Sequence, residues 1–318
     1  MFDHFVSSVV ICPILVTLAV RLLADRLRPE AAARFLVLAL AAAATACLVT
    51  LVAFGLKAVA ELPATGAFFH YSDRIVRADT AREPWVSWLS AVLTLLAVAG
   101  ITRVWRRHRR ETAAVRLYAG LSAADPAAPA ACAAAGPADT SRVVLIDDDR
   151  AAAFAIPDGR VVVTTGMRAA LDDTQYSALL AHEDAHLRGN HHRLILLTRV
   201  AAAVHPAFRL LTRRIDYLIE RAADEQAASR IRDRRAVAQA IGAAALVSSG
   251  SAGLRMAPAA GDLRRAGAVP RRVASLLSPL RAWSPLLLLV PLGVAVFDLA
   301  WTAECLWDLG ELLYAARL

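Results

Sequence analysis

Four apolar stretches, each long enough to cross a bilayer, constrain this chain more than any other feature of its sequence. A transmembrane helix needs about 20 mostly apolar residues. Phe5 to Val20 carries no charge, and Leu22 and Leu23 extend it past Arg21. Phe35 to Leu56 is a second uncharged run, and Trp85 to Thr102 is a third, with Trp85 and Trp88 placed as interface anchors. The fourth runs from Ala282 to about Ala303, broken only by Asp298. The expected spans are therefore 5–23, 35–56, 85–102 and 282–303, and the expected fold class is mainly α and integral to the membrane. Composition agrees, because 58% of the 318 residues are hydrophobic, more than soluble domains carry. Met1-Phe-Asp-His lacks a basic leader and no small-x-small cleavage site follows, so the first run reads as a retained helix.

The formal charge of +8 comes almost entirely from arginine. No recognition helix or basic, aromatic-interleaved sheet accompanies it, so nucleic acid is not an expected partner. The arginines instead edge the apolar runs. Arg21, Arg26, Arg28 and Arg34 lie between the first two spans, Arg103, Arg106, Arg107, Arg109 and Arg110 follow the third, and Arg271, Arg272 and Arg281 precede the fourth. The 57–84 loop balances its charges, and residues 304–318 hold only Arg317 as a base. By the positive-inside rule both termini face outward and residues 103–281 face the cytoplasm. The expected setting is a multi-pass position in a bacterial-type inner or plasma membrane, with 304–318 as a short external tail. Asp298 is expected near the outer end of its helix, within reach of headgroup water. Cys12, Cys47, Cys132 and Cys305 form no C-x-x-C pair and read as small core or lipid-facing residues.

Within the cytoplasmic segment, residues 113–140 are rich in Ala and Pro and read as a tether. A domain over 141–281 is then expected to be α+β. Arg142-Val-Val-Leu-Ile-Asp, Ala151 to Ile156 and Arg160-Val-Val-Val-Thr-Thr, around the turn Pro157-Asp158-Gly159, read as short antiparallel strands. Thr174 is the expected N-cap of a helix that continues into Ala181-His182-Glu183-Asp184-Ala185-His186.

Positions i and i+4 share a helix face, so His182 and His186 can point at one metal ion. Glu183 then projects beside the metal and can take a proton from water whose pKa zinc lowers to about 7. A catalytic zinc wants three protein ligands and one open position. Downstream, Glu220 and Asp224 are again i and i+4. Glu220 can complete the ligand set while Asp224 braces a ligand histidine. His191 and His192 are alternative donors, expected to lie outside the ligand set because Glu220 fits better.

The order of strand, Val-Thr-Thr-Gly, helix, His-Glu-x-x-His, helical return and Glu-x-x-x-Asp resembles the gluzincin membrane peptidases, most specifically over 151–228. It is similar to the HtpX-like and CAAX-protease group and to the BlaR/MecR-type antirepressor peptidases. Three spans, a cytoplasmic protease domain and a fourth span, with His205-Pro206-Ala207-Phe208 before the second motif, resemble the BlaR/MecR type more closely. The resemblance implies a zincin domain with one zinc per chain, ligands His182, His186 and Glu220, general base Glu183, and Asp224 behind the ligands. It implies an endopeptidase acting on cytoplasmic or membrane-proximal protein, of regulatory kind. The alternatives are an HtpX-like quality-control protease and a non-catalytic membrane sensor or scaffold with a structural metal. The large external penicillin-binding domain of β-lactam-sensing members has no counterpart in 304–318, so a β-lactam receptor is not expected. The expected partners are a protein or peptide substrate, the lipid bilayer and a membrane signalling partner; the Phe68-Phe69-His70-Tyr71 cluster of the 57–84 loop reads first as aromatics seated in the headgroup layer, with contact to such a partner as the alternative.

Overall fold

The computed structural model describes residues 2–120, 142–250, 268–278 and 284–317. The chain folds as α1 (Phe2–Leu23), α2 (Pro29–Ala60), α3 (Pro63–Phe69), α4 (Asp73–Thr80) and α5 (Pro84–Tyr118). Three strands follow, β1 (Val143–Ile146), β2 (Ala153–Ala155) and β3 (Val161–Thr164). Next come α6 (Thr165–Ala169), α7 (Asp173–Arg188), α8 (His191–Val204), α9 (Pro206–Arg209), α10 (Thr212–Ile231), α11 (Arg234–Gly250) and α12 (Ala268–Leu277). The last helix is α13 (Leu289–Ala315), entered through a tight turn at Pro285–Leu288.

Four helices, α1, α2, α5 and α13 with its entry turn, are long and apolar enough to cross a membrane. Prolines at 29, 63 and 84 start their helices, where the absent N–H would have been unpaired in any case. Inside α1, residues Val6–Ile11 form a π-helical segment immediately before Cys12-Pro13. Pro13 has no N–H for the carbonyl four residues back, and a wider turn upstream relieves the clash of its ring.

The helices outrun the expected spans. α5 continues to Tyr118, so the first residues of the supposed 113–140 tether are helical, and most of the rest falls outside the described residues. α13 continues to Ala315, which corrects the placing of Asp298. That residue lies mid-helix and is 0% exposed, packed inside the bundle and away from headgroup water.

The segment from α8 to α10 is docked on the candidate spans. Leu36, Val37 and Leu40 of α2 share one buried cluster with Leu194 and Ala201 of α8 and with Ile215, Leu218 and Ile219 of α10. Gly100 of α5 lets Ala203 of α8 approach closely, since an added Cβ would lie 3.2 Å from the Ala203 side chain. Full burial of a Leu or Ile contributes about 1.5–3 kcal/mol, so this shared core fixes the α8–α10 unit against α2.

The sheet has the order β1-β3-β2. The β2–β3 hairpin is antiparallel as expected, pairing Phe154 with Val162. β1 corrects the expectation by running parallel to β3, with Val143 opposite Val161. The chain can return in that direction because residues 147–152 cross back before the hairpin begins.

Candidate metal centre

The site is assembled at a helix start, a tight turn and a crossing of alanines. α7 begins at Asp172, whose carboxylate accepts the Gln175 N–H at 2.8 Å while the Gln175 side-chain oxygen accepts the Asp172 N–H at 3.3 Å. This reciprocal capping box displaces the expected cap Thr174, which lies inside the helix. Thr164 ties the hairpin to the next turn, accepting N–H bonds from Ala152 at 2.9 Å and Met167 at 3.2 Å. Gly166 follows where a Cβ would fall 2.1 Å from the Asp149 carbonyl, which explains a glycine after Thr-Thr. Ala178 and Ala181 of α7 meet Ala227 and Ala228 of α10, and these small contacts let the two helices approach.

The approach brings the expected ligands together. The Nε2 atoms of His182 and His186 lie 3.1 Å apart. Glu220 places one carboxylate oxygen 3.6 Å from His182 Nε2 and the other 3.6 Å from His186 Nε2. Donors held about 2.05 Å from one tetrahedral zinc are about 3.3 Å apart, so these three residues can converge on a single ion. Glu183, one residue on from His182, stands outside the trio, is buried, and receives the backbone N–H of Ala155 in edge strand β2.

Each histidine is held from behind. Asp224, 1% exposed, approaches His182 Nδ1 to 3.0 Å, a close contact that is poorly aligned as a hydrogen bond. His191, expected outside the ligand set, is buried with its Nδ1 2.9 Å from Nδ1 of His186. It braces His186 as Asp224 braces His182, leaving both Nε2 atoms free to face Glu220. Asn190 turns the chain through the left-handed region (φ 50°), and a Cβ on Gly189 would lie 2.2 Å from the His191 ring. Only glycine leaves room for that brace. His192 belongs to no metal-binding group among the described residues.

Sequence reasoning missed Arg272. From α12 it reaches Asp224 with two hydrogen bonds of 2.8 and 2.7 Å, and its third nitrogen stands 3.0 Å from Glu220. Its neighbour Arg271 stacks over Tyr217 of α10 at 4.5 Å, which holds α12 in place. The signal available was a charge excess: Glu220 and Asp224 beside Glu183 ask for more positive charge than one divalent ion brings to a closed site.

The electrostatics follow from this grouping. Burial opposes the charged form of Glu220, but Arg272 and the two histidines outweigh it and hold the carboxyl well below its usual range. Burial likewise opposes Asp224, and Arg272 and His182 again prevail. Burial favours neutral His182, yet Asp224 and Glu220 lift it to about 10, whereas burial drives His186 down to about 3 and His191 to about 4. Burial raises the pKa of Glu183, the direction a proton carrier near neutral pH needs. Three carboxyl groups (Glu183, Glu220, Asp224) thus gather around Arg272 and His182, an acidic excess that a divalent cation can offset.

Residues 124–248 match peptidase family M48. Peptidases of that family are zinc-dependent, and the match supports a membrane zincin-type metallopeptidase of the BlaR/HtpX group, the group the sequence resembles. The matched stretch contains His182, Glu183, His186, Glu220 and Asp224 and ends before Arg272. No curated protein and no solved structure matches the chain.

Proposed function

Because residues 124–248 carry a peptidase family M48 domain in a chain with four candidate membrane spans, we propose a membrane-bound zinc endopeptidase that cleaves cytoplasmic or membrane-proximal protein. The observation that carries this reading is the convergence of His182, His186 and Glu220 on one point, with Glu183 beside it and outside the ligand set. When bound, zinc polarises the scissile carbonyl and lowers the pKa of water to about 7. Glu183 accepts the proton of the attacking water and passes it to the leaving nitrogen. A structural metal site has no use for that carboxylate, which favours an enzyme over a scaffold.

The substrate's path is supplied by β2. Ile156 donates to Arg160 and Thr164 donates to Ala152, so by strand alternation the intervening Ala153 and Ala155 turn their backbone groups away from β3. Ala155 gives its N–H to Glu183, and the remaining groups on that edge can pair with an extended peptide next to the metal. Such backbone pairing gives affinity with little demand on sequence. The packing of α8 and α10 against the first half of α2 supports a site within reach of juxtamembrane segments. The arginine bias supports a cytoplasmic orientation for this site and outward termini.

The role is regulatory on the BlaR/MecR resemblance, with broad quality control as the rival. The test is the purified full chain in detergent, supplied with an unfolded protein substrate. Cleavage that a chelator abolishes and one equivalent of zinc restores supports the reading. Cleavage unaffected by chelation overturns it. Trapping with Glu183→Gln then separates the roles, because a regulatory protease retains one or two proteins and a quality-control protease retains many.

A further inference from the structure

The membrane-spanning helices contain a second polar centre, far in sequence from the metal ligands. Asp298 of α13 is 0% exposed, and neither carboxylate oxygen has a hydrogen-bond partner among the described residues. The carboxylate faces the Ser8 hydroxyl and the Cys12 thiol of α1. Thr302 lies one turn along the same helix face. Its hydroxyl is 3.4 Å from that of Ser8 and 3.4 Å from that of Thr50 in α2. Ser8, Thr50 and Thr302 are all buried. Ser8 belongs to the π-helical segment, a distortion often found at functional positions.

Thr45, Thr94 and Thr102 each donate to the carbonyl four residues back, at 2.8–2.9 Å. Thr50 and Thr302 make no such bond among the described residues; their hydroxyls face each other, and that of Thr302 also faces Ser8. Their 3.4 Å separations are long for O–H···O bonds, which cluster near 2.7–2.8 Å. They equal the spacing of two oxygens at right angles around an ion about 2.4 Å from each, the distance range of calcium-sized cations. A buried carboxylate with no well-formed hydrogen bond and no countercharge calls for a compensating charge. One carboxylate among neutral hydroxyls matches a single positive charge, which selects sodium over the similarly sized calcium.

We infer that Asp298, Ser8, Thr50 and Thr302 form an intramembrane binding site for a sodium-sized monovalent cation joining α1, α2 and α13. One turn beyond Thr50 toward the 57–84 loop, Phe54 and Asp3 help line a cavity of about 320 Å³. Its carboxylates Asp3, Asp79 and Glu83 outnumber Lys57 and Arg82, which suits an approach route for a cation. The site ties together the two helices that flank α2, whose other half shares its core with α8 and α10.

The experiment is thermal unfolding of the purified full chain in detergent micelles, titrated with sodium, potassium or choline chloride at constant ionic strength. Ligand binding to the folded state raises Tm with the logarithm of ligand concentration above Kd. The expected result is such a rise with sodium, a weaker one with potassium and none with choline. Asp298→Asn abolishes the sodium response, and Thr302→Val or Ser8→Ala moves its midpoint at least ten-fold upward. An equal rise in choline, or a sodium response intact in Asp298→Asn, overturns the site. Should Asp298→Asn fail to fold, unshifted midpoints in both hydroxyl variants overturn it instead.

Discussion

Arg272→Met removes the buried guanidinium that the metal centre carries in its own sequence. Arg272 binds Asp224 through two hydrogen bonds and stands 3.0 Å from Glu220. Asp224 is 1% exposed, so its charge has no recourse to water once the guanidinium is gone. Removing one partner of a buried ion pair costs about 3–5 kcal/mol. Methionine keeps the packing volume of the arginine stem, so the loss is electrostatic. In the metal-free protein, amide hydrogen exchange in α10 should therefore accelerate by roughly 150- to 4,000-fold, at about 1.4 kcal/mol per factor of ten. Zinc brings positive charge to Glu220 and to His182, the partner of Asp224, and replaces part of what was lost. Saturating zinc should thus slow exchange more in the variant than in the wild type and recover at least half of the difference. The assay is exchange followed by mass spectrometry on α10 peptides, with chelator and with zinc. Unchanged exchange in the metal-free variant, or a zinc effect no larger than in wild type, would refute the charge-balance argument.

Glu220→Ala should strip zinc from the purified chain, and Asp224→Ala should weaken zinc affinity by about 10–100-fold, both read by metal titration. Gly189→Ala should drive the His191 ring off His186, because the added Cβ would sit 2.2 Å from it; metal titration should show weakened zinc binding with little change in helix content. Asp216 is raised from 3.8 to about 6 by burial, with Glu220 adding to the shift. Its folded-state pKa is above the unfolded one, so the fold favours the protonated form and loses stability as pH rises from about 4 through about 6. Asp216→Asn should therefore raise Tm above pH 6 and leave it unchanged below pH 4, and a uniform shift across pH would contradict that sign. A phosphatase fused to the C-terminus should be active and one inserted at Ala133 silent, and the opposite pattern would invert the orientation.

The parts of the molecule legible in one dimension were the candidate spans and the grouping of His182, His186 and Glu220. A run such as Phe35 to Leu56 declares its environment by length, and His182 and His186 declare a shared face by i and i+4. Partners joined only by the tertiary fold were not legible. Arg272 meets Asp224 across 48 residues, and nothing in Arg271-Arg272 distinguishes the arginine that turns inward from the one that stacks on Tyr217. The docking of α8 on α2 was hidden because Leu194 and Ala201 read as an ordinary buried stripe whether the far side is protein core or a span. Asp298 was misplaced because the span was ended near Ala303, whereas the helix runs on to Ala315 and its buried face continues through Leu309. Asp172 and Thr174 are both good caps, and only Gln175, three residues after Asp172, decides between them.

Zinc content and proteolysis measured together on Glu183→Gln test the central claim most directly. Glu183 lies beside the ligand atoms and contributes none, so the variant should keep about one zinc per chain while cleavage of an unfolded protein substrate falls to background. Loss of the zinc, or cleavage at the wild-type rate with zinc retained, would contradict the account.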